Sequence, residues 1–348
     1  MSPAHRSQRR ARVLLALAVL VLAAALASLA FGSVSITFGS VLRAIIGHAR
    51  DDSVRSIIWA FRLPKAATAA LAGAALAVSG LLMQTLFRNP LAGPYVLGLS
   101  AGASLGVALV VLAAGGGWVG FASAASGWGD MAVAVAASLG AGLVLAMVLL
   151  AARRVSPLVL LILGVLFGYA AGALVTVLLQ LAVAERVQAF VQWTFGSFGG
   201  VSTRELGLLA TVVVAGLALA ATTAKALDAL AFGADTARSL GVNVPAVRTR
   251  ALIATALLAG AVTAFCGPVG FLGVAVPHLA RGLLGTGEHR WLLAGSALAG
   301  AAVALISDVV AQLPGHQGVL PLNAVTALIG APVLAWVVLR RRGEEPWS

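Results

Sequence analysis

One cysteine, Cys266, stands in a chain of 348 residues, so no intrachain disulfide can form and no site can rest on paired cysteines. Lysine is almost as scarce. The two present, Lys65 and Lys225, are each followed by alanine, which excludes a GxxxxGK[ST] phosphate loop and ATP hydrolysis by that route. Acidic residues number 11, and charged residues of both signs make up 10% of the chain, against about 25% in soluble domains. His5, His48, His278, His289 and His316 are scattered without metal-ligand spacing, and no HExxH pattern occurs. Nothing in this inventory favours a membrane-embedded enzyme.

What is present is apolar. Hydrophobic residues reach 61% and the mean hydropathy is +1.03. A water-soluble protein of this length could not hide so much apolar surface. The composition predicts an all-α, polytopic membrane protein with one membrane domain. Forty glycines fit that class, because lipid offers no hydrophobic drive between helices and small residues let backbones approach. The net charge of +12 follows from Lys and Arg retained on the cytoplasmic side of a bilayer, so a nucleic-acid partner is not implied.

Residues 1–12 read as a basic, disordered cytoplasmic tail, 13–340 as the transmembrane domain and 341–348 as a cytoplasmic tail. Val13 to about Phe31 is read as a retained first span rather than a signal peptide, because so many spans follow. Residues 32–61 are too polar to cross. Nine more spans follow at about 66–86, 95–114, 131–151, 157–183, 206–223, 250–266, 269–284, 291–311 and 320–339. The 269–284 segment is short and holds Pro277, His278 and Arg281, so no full regular crossing is expected there. With the N-terminus inside, sixteen of the 23 basic residues fall on the cytoplasmic side and seven outside, which supports ten spans with both ends cytoplasmic.

Leu71–Gly80 (LAGAALAVSG) echoes Leu258–Gly267 (LAGAVTAFCG), and a proline, Pro90 or Pro277, stands ten residues beyond each. Chance similarity is a serious alternative in an Ala-rich chain. A true echo would be an inverted repeat, common in transporters, with interrupted helices near the pathway.

Few residues carry candidate chemistry. Of the acidic residues only Asp308 lies inside a span, so a carboxylate relay for ion-coupled transport is disfavoured and the energy source is expected in a partner. Arg62 and Lys65 stand at the outer foot of the second span, either as snorkelling anchors or as a landing site for an acidic partner. Gly164, Gly168 and Gly172 form a four-residue ladder that could pack a helix or line a pore. The loop from Ala221 to about Arg250 is cut by Gly233, Gly241 and Pro245. Its apolar Leu227, Leu230, Phe232, Leu240 and Val242 lack a core of their own, so a docking surface is preferred to a solvated loop.

Longer strings carry a resemblance. RLPKAATAALAGAALAVSG at 62–80, QTLFRNPLAGPYVLG at 84–98, ADTARSLGV at 234–242 and GPVGFLGVAVPHLAR at 267–281 occur in order. They are followed by EHRWLLAGSALAGA at 288–301, SDVVAQ at 307–312 and ALIGAP at 327–332. This resembles the iron-siderophore, haem and vitamin B12 (FecCD or BtuC-like) permeases of ABC importers, over nearly the whole chain. The resemblance implies two permease subunits around a channel, two ATPase subunits below and an extracytoplasmic binding protein above. ATP and Mg2+ would belong to the ATPase, with no cofactor on this chain. It also implies binding-protein docking by Arg62 and Lys65, with Gln312 where the family usually has Arg. ATPase coupling would fall to the segment holding Ala234, Arg238, Leu240, Gly241 and Val242. A pathway would run along the fifth and tenth spans, with Gly164, Gly168 and Gly172, and with Ser156 and Pro157 near the inner gate.

Val319 and Asn323 also depart from the family's ELPxG pattern. A less charged outer mouth favours a paralogous second permease over an identical one. The expected cargo is an iron(III)-siderophore, with haem or cobalamin as the alternative. An ion-coupled secondary transporter is the alternative of another class, separable by whether uptake needs a co-expressed ATPase.

Overall fold

Arg6, Arg9, Arg10 and Arg12, read as part of a disordered tail, instead open the first helix, α1 (Pro3–Ala30). The segment is free of interior glycine and runs directly into an apolar stretch, so the helix propagates back through it. The computed structural model describes residues 3–32, 36–48, 51–112, 129–152, 154–312 and 318–340. The tail 341–348 and Arg153 lie outside the described residues.

Between the first two spans lies a short helix, α2 (Phe38–Ile45). The next helix, α3 (Asp52–Leu86), begins well before the span boundary expected at 66. Asp51 caps it by accepting from the Ser53 N–H, and a π-helical stretch at Ile57–Arg62 joins its outer turns to the span. The polar segment 32–61 is thus partly an extension of the second span. A 3-10 turn at Pro94–Leu97 leads into α4 (Leu99–Val111). Then come α5 (Gly129–Ala152), α6 (Pro157–Leu181), α7 (Ala184–Thr194) and α8 (Thr203–Thr222). The loop of residues 221–250 holds α9 (Ala224–Ala231) and α10 (Ala234–Ser239) before α11 (Val244–Cys266). The chain closes with α12 (Leu272–Leu284), α13 (His289–Ala311) and α14 (Leu322–Arg340).

Each of the ten expected spans contains a helix. Among the described residues seven helices are long and apolar enough to cross a membrane, and α4, α12 and the Leu322–Ala335 part of α14 are shorter. No strand occurs among the described residues.

Small residues decide how the body closes. Gly73 of α3 and Gly300 of α13 face one another so closely that a Cβ on either would strike the other's carbonyl. Gly80 meets the carbonyl of Gly273 in the same way. Pro277, four residues on, cannot donate to that carbonyl, so α12 leaves it free to point at its neighbour.

The sequence echo has a structural counterpart. In both copies a long helix (α3, α11) is followed by a break and a 13-residue helix (α4, α12). The two long helices run oppositely. Lys65, at the outer foot of the spanning part of α3, lies against Gly199, and the nearby Ser197 N–H donates to the carbonyl of Cys266, at the end of α11. The end of α3 instead meets the start of α13 through Thr85 and His289.

Candidate functional site

Three sets of residues matter, and they lie in different parts of the body. The first is a polar cluster where α1 ends, the spanning part of α3 begins and α13 ends. Arg62 is buried, and its Nη1 donates to the carbonyls of Leu29 (2.7 Å) and Ala30 (2.9 Å). Those carbonyls belong to the last turn of α1, where no helical donor remains for them. Lys65 Nζ lies 3.1 Å from Asp308 Oδ1, with side-chain exposures of 22% and 4%. Asp308 Oδ2 accepts from Ser28 Oγ (3.3 Å) and from Gln312 Nε2 (2.9 Å). Gly32 seals the group, since a Cβ there would sit 2.9 Å from Arg62 Nη2 and 3.1 Å from Gln312 Oε1. The structure therefore does bring Arg62, Lys65 and Gln312 together. It turns them toward α1 and α13 rather than outward, and joins them through Asp308 and Ser28, which the sequence reading had not connected to them.

The second set is α10 and its borders. Phe232 and Leu240 are 76% and 67% exposed, whereas Leu227 and Leu230 are buried. The expectation that all of these lacked a core is corrected for the two leucines of α9, which pack into the membrane body, and for Val242, which lies half-buried against the same core. Gly241 has φ +80°, its N–H donates to the Arg238 carbonyl, and the Val242 N–H donates to the Ala237 carbonyl. This paired closure is the Schellman end of a helix, and it requires a left-handed residue, easiest for glycine. Ala234 opens α10 behind Gly233, at φ +116°, and Arg238 is ion-paired with Asp235 on the exposed face.

The third set lies on α6. Ser156 caps it by accepting from the Val159 N–H, with Pro157 at the first helical position. Gly164 is packed against Val96 and Leu97, but Gly168 and Gly172 have open space where a side chain would stand. Four-residue steps on a 3.6-residue helix advance about 40° each, so the ladder rotates out of the contact. One rung packs helices and two face away. An apolar cavity of about 410 Å³ lies beside Gly164, bounded by Leu97, Val144, Met147, Leu160 and Phe167.

Three further features bear on function. The string GLSAG at 98–102 fits the GxSxG nucleophile-elbow pattern. Here Ser100 opens a helix after a 3-10 turn, with no strand before it, so the elbow geometry is absent. Asn323 is used fully. Its Nδ2 donates to the carbonyls of Thr194 (2.9 Å) and Pro268 (2.6 Å), and its Oδ1 accepts from the Gly270 N–H (2.8 Å). The residue that departs from the family pattern thus ties α7, the α11–α12 turn and α14 together. At the other end, Arg10 Nη1 donates to Glu288 Oε1 (2.6 Å), and this contact holds the Glu288 carboxyl below the usual carboxylate range. No cluster of His, Cys, Asp and Glu able to hold a metal occurs among the described residues.

Comparison with known proteins gives this geometry its context. Residues 19–340 match the model of the FecCD transport family. The chain belongs to the FecCD transport family. It is similar to the vitamin B12 import system permease protein BtuC of Citrobacter koseri, 36% identical over 287 residues that cover 82% of this chain and 83% of the relative. The BtuC of Klebsiella pneumoniae subsp. pneumoniae is 37% identical over the same lengths and shares of each chain. Among solved structures, this FecCD-family chain is similar to one assigned to a metal-chelate type ABC transporter in an inward-facing conformation. The TM-score is 0.82 at 27% identity, covering 94% of this chain and 99% of the other. This FecCD-family protein is therefore a multi-pass permease subunit of an ABC importer with a BtuC-like fold, and not itself an enzyme. Importers of this kind work with an ABC ATPase and a binding protein.

Proposed function

We propose that the chain conducts an iron(III)-siderophore across the cytoplasmic membrane, driven by a separate ATPase and supplied by an extracytoplasmic binding protein. The observation that carries this reading is the family membership together with a bare wall. The outward part of α6 offers Gly168, Gly172 and apolar side chains, and among the described residues no metal-ligating cluster competes for the iron. Such a wall passes a closed chelate intact, with selection left to the binding protein. The same wall would pass a corrinoid, and the BtuC relatives make vitamin B12 the second reading.

The rest of the assembly follows from this reading. Two ATPase copies would receive α10 from two permeases, and ATP and Mg2+ reside on the ATPase. The second permease is proposed to be a paralogue, because Gln312 bonds Asp308 and offers no cation to an acidic partner. Lys65 keeps partial exposure and remains the better placed of the two basic residues to meet a binding-protein carboxylate.

Uptake separates the cargoes. Iron-limited cells lacking the chain should fail to accumulate iron from a ferric siderophore and regain it on complementation. Excess cobalamin should not compete. Restoration of cobalamin uptake alone would reject the siderophore reading and establish the second.

Both termini and α10 are proposed to be cytoplasmic. In a Cys266→Ser background, Thr236→Cys, on the exposed face of α10, should resist an impermeant thiol reagent in intact cells and react after lysis. Labelling from outside would reverse the orientation.

A further inference from the structure

Three segments distant in sequence meet at the buried imidazole of His289, the first residue of α13. On one side stands Asp228 of α9. Its Oδ1 accepts from the His289 backbone N–H (2.7 Å) and lies 2.7 Å from the ring Nδ1. On the other side, Nε2 lies 2.8 Å from Thr85 Oγ1, in the last turn of α3. The preceding residue, Glu288, makes no side-chain cap on α13, so Asp228 supplies the capping bond from another helix.

This junction sits at the root of α10. Only Phe232 and Gly233 separate α9 from α10. Buried Leu227 and Leu230 press α9 onto the body, while α10 leaves Phe232 and Leu240 in the open. Apolar contacts permit sliding, but a hydrogen bond holds its length within a few tenths of an ångström. A chain of such bonds between packed elements is a means of carrying displacement from one to the next. Asp228, His289 and Thr85 form that chain, from the root of α10 to α13 and α3.

We propose that His289 is the positioning residue that carries movement of α10 into α3 and α13, through Asp228 on one side and Thr85 on the other. This inference rests on the reading of α10 as the ATPase-facing segment. It assigns His289 no contact with cargo or nucleotide.

The test uses the full complex in proteoliposomes, with binding protein and a ferric siderophore, and reads cargo moved per ATP hydrolysed by assembled complex. His289→Ala and Asp228→Ala should each keep a parental share of ATPase and hydrolyse ATP, with cargo per ATP lower by about tenfold, inside the range of about 5–150-fold typical of coupling between sites. The double variant should be no worse than His289→Ala alone, because both changes cut one chain. His289→Gln, which retains a donor, should recover part of the ratio. A purely structural role would reduce the amount of assembled complex and leave its ratio untouched. A parental ratio in His289→Ala, or losses that multiply in the double variant, overturns the inference. Leu240→Asp distinguishes the two layers. If it retains its ATPase, the reading of α10 falls and this inference falls with it; if it loses its ATPase while His289→Ala keeps a parental ratio, only the inference falls.

Discussion

Lys65→Met is expected to destabilise the permease by up to about 3–5 kcal/mol, the cost of removing one partner from a fully buried ion pair, here with Asp308 buried and Lys65 half-buried. Asp308 is 4% exposed at its side chain and would keep only neutral donors, Ser28 and Gln312, around a full negative charge. The change should appear as a large fall in melting temperature and in the amount of purified protein. Lys65→Met with Asp308→Asn should recover most of the loss, because the uncompensated charge is gone and the asparagine amide can still accept from Ser28 and Gln312. Equal melting temperatures for Lys65→Met and the parent would show that the pair does not fasten α3 to α13. The same geometry changes how docking is tested. Reversing Arg62 and Lys65 to Glu would also break the bonds to Leu29, Ala30 and Asp308, so any loss of binding-protein capture would be mixed with unfolding.

Leu240→Asp combined with Gly241→Val should nearly abolish uptake while the inserted permease persists. Leu240 is 67% exposed, so its loss removes little from the permease's own core. Gly241 sits at φ +80°, where a β-branched residue costs on the order of 1 kcal/mol or more and opens the last turn of α10. An aspartate carried into an apolar cleft of the ATPase would be an unpaired charge out of water, which is costly. The measurement is the amount of ATPase that co-purifies with the variant, together with uptake normalised to permease. Parental values for both would remove α10 from the coupling role.

How much was legible in the sequence depended on whether a feature was local. The long spans were, because about twenty uncharged residues make a crossing helix whatever their neighbours. The end of α10 was also local, since glycine after a short helix carries its own conformational reason. The partners of polar side chains were not. Asp308 read as a lone carboxylate near a span end, and only packing of α1, α3 and α13 reveals Lys65, Ser28 and Gln312 around it. Leu227 and Leu230 looked unpartnered because their core belongs to other helices. The α6 ladder was half legible, since spacing identifies a shared stripe but not the residue at which a neighbour leaves it. The link from Asp228 through His289 to Thr85 had one visible sign, an acidic residue in an amphipathic stretch, and its target lay 61 residues away.

The most direct test of the account is uptake by proteoliposomes that hold the permease assembly, with its ATPase inside and its binding protein outside. Ferric siderophore should accumulate only when ATP is enclosed, fail when the ATPase is catalytically dead, and be indifferent to proton or sodium gradients. Accumulation driven by an imposed ion gradient without ATP would contradict the account and make the chain a secondary transporter.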